Sequence, residues 1–81
     1  MSNNKVIVLG DLEVGGRGTV VRLEGGRGFI GRMAALGFNP GATIDVVRND
    51  GFGPLIVNVL DTQIALGRGQ ASKVCVRREG Q

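Results

Sequence analysis

Eighty-one residues make a single domain, near the lower size at which one core folds unaided, and leave no room for a second. Fifteen Gly, three Phe and no Trp, Tyr or His point to many short strands and exclude imidazole chemistry. A net charge of +3 is too small to demand nucleic acid, and a lone cysteine, Cys75, excludes an internal disulfide and suits a reducing cytosol.

Residues 1–5 are polar and are expected to fray. Val6 to Leu12 is a short apolar segment with Leu9 and Leu12 as core anchors; Val6 to Leu9 is far too short to span a membrane. No hydrophobic signal core precedes it. The turn at Gly15 to Gly18 leads into a β-branched run, Thr19 to Leu23, which reads as the first main strand. A loop from Glu24 to Gly28 follows. Phe29, Ile30, Met33 and Leu36 then recur at helical spacing.

The helix is predicted to end in a left-handed glycine stop at Gly37. Phe38 follows that glycine and Met33 lies one turn inside, the pair whose contact accompanies a Schellman stop. Pro40 and Gly41 turn the chain into a strand from Thr43 to Arg48, with Ile44 and Val46 inward. Asn49 to Pro54 is a glycine-rich connection. Leu55, Val57 and Val59 face inward on the next strand, Asp61-Thr62 turns, and Ile64 and Leu66 face inward on the one after. Gly67 to Ser72 is read as one helical turn. The last strand, Lys73 to Arg77, buries Val74 and Val76 and leaves Lys73, Cys75 and Arg77 on the outer face.

This order predicts a mainly β fold: a small SH3-like barrel of about five strands with one short helix inserted after the first main strand. An OB-fold is the alternative. Closure would remove the edges that so small a sheet otherwise exposes. The whole chain, 1–81, is expected to be one domain with 79–81 as a tail.

Catalysis has little to work with. The acid-base group most used near neutral pH is absent, Asp11, Asp45, Asp50 and Asp61 fall in turns or on an outward strand face, and Cys75 has no imidazole to deprotonate it. A metal site lacks ligands, since one thiolate and scattered carboxylates form no cluster. The loops at Gly15–Gly18 and Gly25–Gly28 lack the ending of a nucleotide-phosphate loop. Eight Arg could track a nucleic-acid backbone, yet the aromatic platforms that stack bases are missing: Phe29 and Phe38 sit at core or corner positions, leaving Phe52 alone in a loop. The same shortage excludes an aromatic groove for proline-rich peptides.

The motifs in their order resemble the FeoA family, small cytosolic components of bacterial ferrous iron transport. The resemblance runs from about Leu9 to Val76 and is carried by Leu9 to Leu12, Gly15 to Val20, Gly25-Gly26, Arg32 to Phe38, Pro40-Gly41, Gly53-Pro54, Ile64 to Arg68, and Ala71 with Val74 and Val76. It implies an SH3-like fold and an accessory protein, not an enzyme, that acts on FeoB, a membrane permease with a cytosolic GTP-binding domain. It implies a cytoplasmic protein, peripheral at the inner membrane through that partner, with no cofactor and no membrane insertion. A similar domain ends some iron- and manganese-dependent repressors, so a metal-responsive regulatory domain is the alternative, with a small nucleic-acid-binding barrel behind it.

On this reading the partner-binding residues are Arg32, Met33, Leu36, Phe38 and Arg68, with Arg32 and Arg68 offering charge-assisted contacts. Gly37, Pro40 and Gly41 shape the corner. Met33, Leu36 and Phe38 have a competing role as core, which ordinary burial statistics favour. An exposed edge beside Cys75 leaves room for weak self-association.

Overall fold

The computed structural model describes residues 5–79. The expected fray at 1–5 and tail at 79–81 fall largely outside the described residues. Glu79 is inside them, and its N–H donates to the Arg17 carbonyl at 2.8 Å.

Strand β1 (Val6–Val8) runs into a 3-10 turn, Leu9–Asp11. Strand β2 (Arg17–Leu23), helix α1 (Arg27–Ala35) and strand β3 (Thr43–Arg48) follow. Then come β4 (Leu55–Val59), β5 (Thr62–Leu66), a single-turn helix α2 (Arg68–Ala71) and β6 (Val74–Arg78). The six strands form one sheet in the order β1-β6-β2-β3-β4-β5, with every pair antiparallel.

The expected closed barrel of about five strands is corrected here. Among the described residues there are six strands, and β1 and β5 end the sheet without pairing to one another. Register shifts between Val20 and Arg22 and between Val46 and Arg48 bend the ladder around the core. Where β1 and β5 would have to meet, each chain segment turns helical: β1 passes into the 3-10 turn and β5 into α2. Those two turns pack on each other, burying Leu9 and Ala71. Side-chain packing replaces the missing strand pair, so the ladder stays open. The short β1 reads in the sequence only as an apolar segment, which is why the strand count differs.

Among the described residues fourteen buried apolar side chains, from every strand except β1, from both helices and from the connecting turns, form one core cluster. β4 shows the cause most plainly, with Leu55, Val57 and Val59 buried and Ile56 and Asn58 half-buried between them. Among the described residues no buried side-chain N or O atom lacks a hydrogen-bond partner.

Cys75 is a second correction. It is buried rather than exposed, although it lies on the face opposite Val74 and Val76 and outside the core cluster; β6 runs between β1 and β2, with Val8 and Arg22 opposite Cys75. β6 is not itself an edge strand; the edge strand beside it is β1. Among the described residues no helix is long and apolar enough to cross a membrane.

Candidate functional site

Helix α1 begins poorly. Its N-cap is Gly26, no side chain caps the free N–H groups, and its first turn holds Arg27 and no acid. Gly28 and Gly31 weaken it further. What holds it lies at the other end. The Phe38 N–H donates to the Met33 carbonyl at 3.0 Å and the Gly37 N–H to the Ala34 carbonyl at 3.0 Å, the paired bonds of a Schellman stop. Gly37 sits at φ 106°, and Met33 and Phe38 are both fully buried beneath the stop.

The corner is then fastened to the sheet. Gly41, at φ 95°, donates its N–H to the Val20 carbonyl at 2.8 Å, and the Val20 N–H returns a 2.8 Å bond to the Ala42 carbonyl. The Asn39 side-chain amide donates to the Ala34 carbonyl at 3.2 Å. The helix end is therefore held by its own stop, by the core below and by β2 beside it.

Two apolar side chains are left in solvent here. Leu36 is 44% exposed and Leu60 is 73% exposed. Leu60 and Asp61 form the tight β4–β5 turn with φ of 51° and 60°. That left-handed geometry is unusual for Leu, because its Cβ crowds the backbone. The Leu60 side chain lies over Gly37: a Cβ on Gly37 would stand 2.8 Å from Leu60 Cδ1. Beside the turn is an open groove of about 650 Å³ lined by Gly41, Ala42, Thr43, Asp45, Asn58, Leu60 and Asp61.

Arg32 lies exposed on α1. Most other arginines are occupied: Arg17 pairs with Asp45 at 2.7 Å, Arg22 with Glu24 at 3.0 Å, Arg48 with Asp50 at 3.5 Å, and Arg78 with Glu13. Among the described residues the side chains of Arg27, Arg32 and Arg77 have no ion-pair or hydrogen-bond partner. The Arg78 hydrogen bond holds the Glu13 carboxyl below its ordinary value, and the Asp45 carboxylate raises Arg17.

Arg68 is elsewhere and otherwise engaged. From the start of α2 its Nη2 donates to Asn49 Oδ1 at 2.7 Å, its Nη1 to the Gly10 carbonyl at 3.2 Å and its Nε to the Gly53 carbonyl at 3.2 Å. The Asn49 amide in turn donates to the carbonyls of Gly10, at 3.1 Å, and Leu12, at 2.9 Å. Arg68 and Asn49 thus strut the β3–β4 loop against the 3-10 turn.

A model of the FeoA domain matches residues 7–78, nearly all of the described chain. The chain belongs to the FeoA family. A relative from Methanocaldococcus jannaschii that carries the name Fe(2+) transport protein A is 37% identical over 57 residues, 70% of this chain and 68% of that one. A crystal structure of an iron uptake regulatory protein, FeoA, superposes with a TM-score of 0.87 at 35% identity, covering 91% of this chain and 99% of that one. A manganese-dependent transcriptional repressor shares the fold, with a TM-score of 0.83 at 20% identity. The likeness covers 96% of this chain but only 44% of the repressor.

Within this FeoA domain the structure brings Arg32, Met33, Leu36 and Phe38 to one corner, with Met33 and Phe38 below the surface and Arg32 and Leu36 on it. Arg68 belongs to a different network. Two residues escape the sequence pattern. Leu60 is hidden because the pattern puts the turn at Asp61-Thr62, one residue late. Asn49 sits in what reads as a glycine-rich connection, and only its position beside Asp50-Gly51 hints at a turn-forming side chain. Phe52, at the tip of that loop between Gly51 and Gly53, is 79% exposed. Among the described residues no group of three His, Cys, Asp or Glu is placed to hold a metal ion.

Proposed function

We propose that this FeoA-family chain serves ferrous iron transport as a non-catalytic docking module, cytoplasmic and drawn to the membrane by binding the cytosolic part of a FeoB-type GTPase and permease. Family membership supports the pathway. The observation that carries the docking mode is the end of α1, where an unpaired guanidinium and exposed leucines stand on a corner that cannot shift without breaking the core.

Each residue then has a separate task. Arg32 offers a charge-assisted bond to a carboxylate of the partner, and Leu36 a modest apolar contact with Leu60 beside it. Met33 and Phe38 support the contact from below. Gly37, Pro40 and Gly41 set its angle, and Arg68 keeps the β3–β4 loop in place. A rigid face loses little conformational entropy on binding, which favours affinity from a small area.

Titrating the intact chain into the cytosolic part of the FeoB-type protein of the same organism, with and without GTP, tests the reading by calorimetry. Saturable one-to-one heat is expected. Absence of binding in both nucleotide states overturns it.

A further inference from the structure

Strand β5 is an edge without protection. Folded chains usually guard such an edge with a charge, a proline, a bulge or a covering element. Thr62-Gln63-Ile64-Ala65-Leu66 has no charged residue and no proline, and its pairing to β4 runs unbroken from Leu55↔Leu66 to Val59↔Thr62. Thr62, Gln63 and Ala65 are exposed, and among the described residues no strand pairs along its outer side. In an antiparallel hairpin closed by a tight two-residue turn, the pair flanking the turn exchanges backbone bonds and every second pair does likewise. Thr62, Ile64 and Leu66 therefore bond to β4, and the N–H and C=O groups of Gln63 and Ala65 point away from the sheet. The other edge, β1, is shorter, at three residues.

We infer that a second copy of this chain pairs with β5, antiparallel, about a two-fold axis at Ile64. In that register Gln63 of each copy exchanges both backbone bonds with Ala65 of the other. Alanine opposite glutamine leaves room for both side chains. Ile64, half-buried in one copy, meets Ile64 of the second copy and loses more of its exposure. Charge favours this partner and this direction. Each chain carries +3, yet the seam from Thr62 to Leu66 is uncharged, so two like-charged molecules meet there without a repelling pair. Asp61 at one end of the strand faces Gly67 of the second copy, one residue from its Arg68, whereas a parallel arrangement would set Asp61 beside Asp61. The ladder stops there, because the Gly67 N–H is already given to Gln70 Oε1 at 2.9 Å. So short a seam makes a weak dimer, with a dissociation constant on the order of 0.1–1 mM.

Sedimentation velocity over a concentration series reaching about 1 mM tests this. The average mass is expected to rise from 8.5 kDa toward twice that value. The double variant Gln63→Lys/Ala65→Lys sets like charges opposite one another and should weaken association roughly tenfold or more. Gln63→Lys/Ala65→Glu sets opposite charges face to face and should tighten it roughly threefold to tenfold. Circular dichroism confirms that both variants remain folded. A wild-type chain that stays monomeric throughout overturns the proposal, even if a foreign strand can be shown to add at β5. So does equal association of the two variants, which would place the contact elsewhere or in another register.

Discussion

Gly37 is constrained twice, by its positive φ and by the side chain of Leu60 lying across it. The two constraints separate experimentally. Gly37→Ala should cost about 1–2 kcal/mol in urea denaturation, because an L side chain is forced into a left-handed backbone. Trimming its neighbour with Leu60→Ala should not restore that loss, since the strain sits in the main chain and Leu60 can swing aside. The two arginines expected at the site should part company in the same assay. Arg68→Ala removes three bonds to the loop and turn and should cost about 1–3 kcal/mol. Arg32→Ala, exposed and unpaired, should stay within about 0.5 kcal/mol of wild type. In the sequence both look like surface arginines. The partners of Arg68 lie 15, 19 and 58 residues away along the chain, where no local spacing can point to them.

Cys75 adds a dependence on pH. Burial pushes its thiol above the ordinary 9.0, with the Glu24 charge adding to the shift. The unfolded chain therefore gives up the thiol proton first. Stability is unaffected below the ordinary thiol value and declines as pH rises through and beyond it. Cys75→Ala should flatten that decline when urea midpoints are compared between about pH 8 and pH 10.

Among the elements, α1 is the weakest, held at its end and not by its own propensity. Gly31 lies on its exposed side, and a methyl group added there would meet nothing within 4 Å. Gly31→Ala should accordingly stabilise the chain by up to about 1 kcal/mol, read as a higher melting temperature, while binding at the helix end is kept. The helix and its stop are legible in the sequence because period and glycine chemistry are local. The strands from Thr43 onward are legible because one buried face imposes alternation. β1 is not, since three apolar residues carry no period. Cys75 is misplaced for a related reason: alternation tells which side of a strand a residue takes, but not whether neighbouring strands cover that side.

At the scale of the whole molecule, the open ladder departs most from expectation. Counting strands and glycines predicts a closed barrel, because closure is the usual remedy for exposed edges. Here the 3-10 turn and α2 fill the gap with side chains, leaving β5 bare. Whether an edge closes depends on contacts between the Leu9 and Ala71 regions, far apart in sequence, and no pattern within either segment encodes it. The corner of the candidate site is visible in the sequence at once. Its exposed part, Leu36 with Leu60, depends on a hairpin turn meeting a helix end across the fold.

Binding through the end of α1 is read directly by calorimetry of surface variants against the FeoB-type cytosolic part. Arg32→Glu and Leu36→Asp should each bind at least about tenfold more weakly, near 1.4 kcal/mol, while Arg77→Glu on β6 binds as wild type, with circular dichroism showing all three folded. Undiminished binding by the first two variants would contradict it.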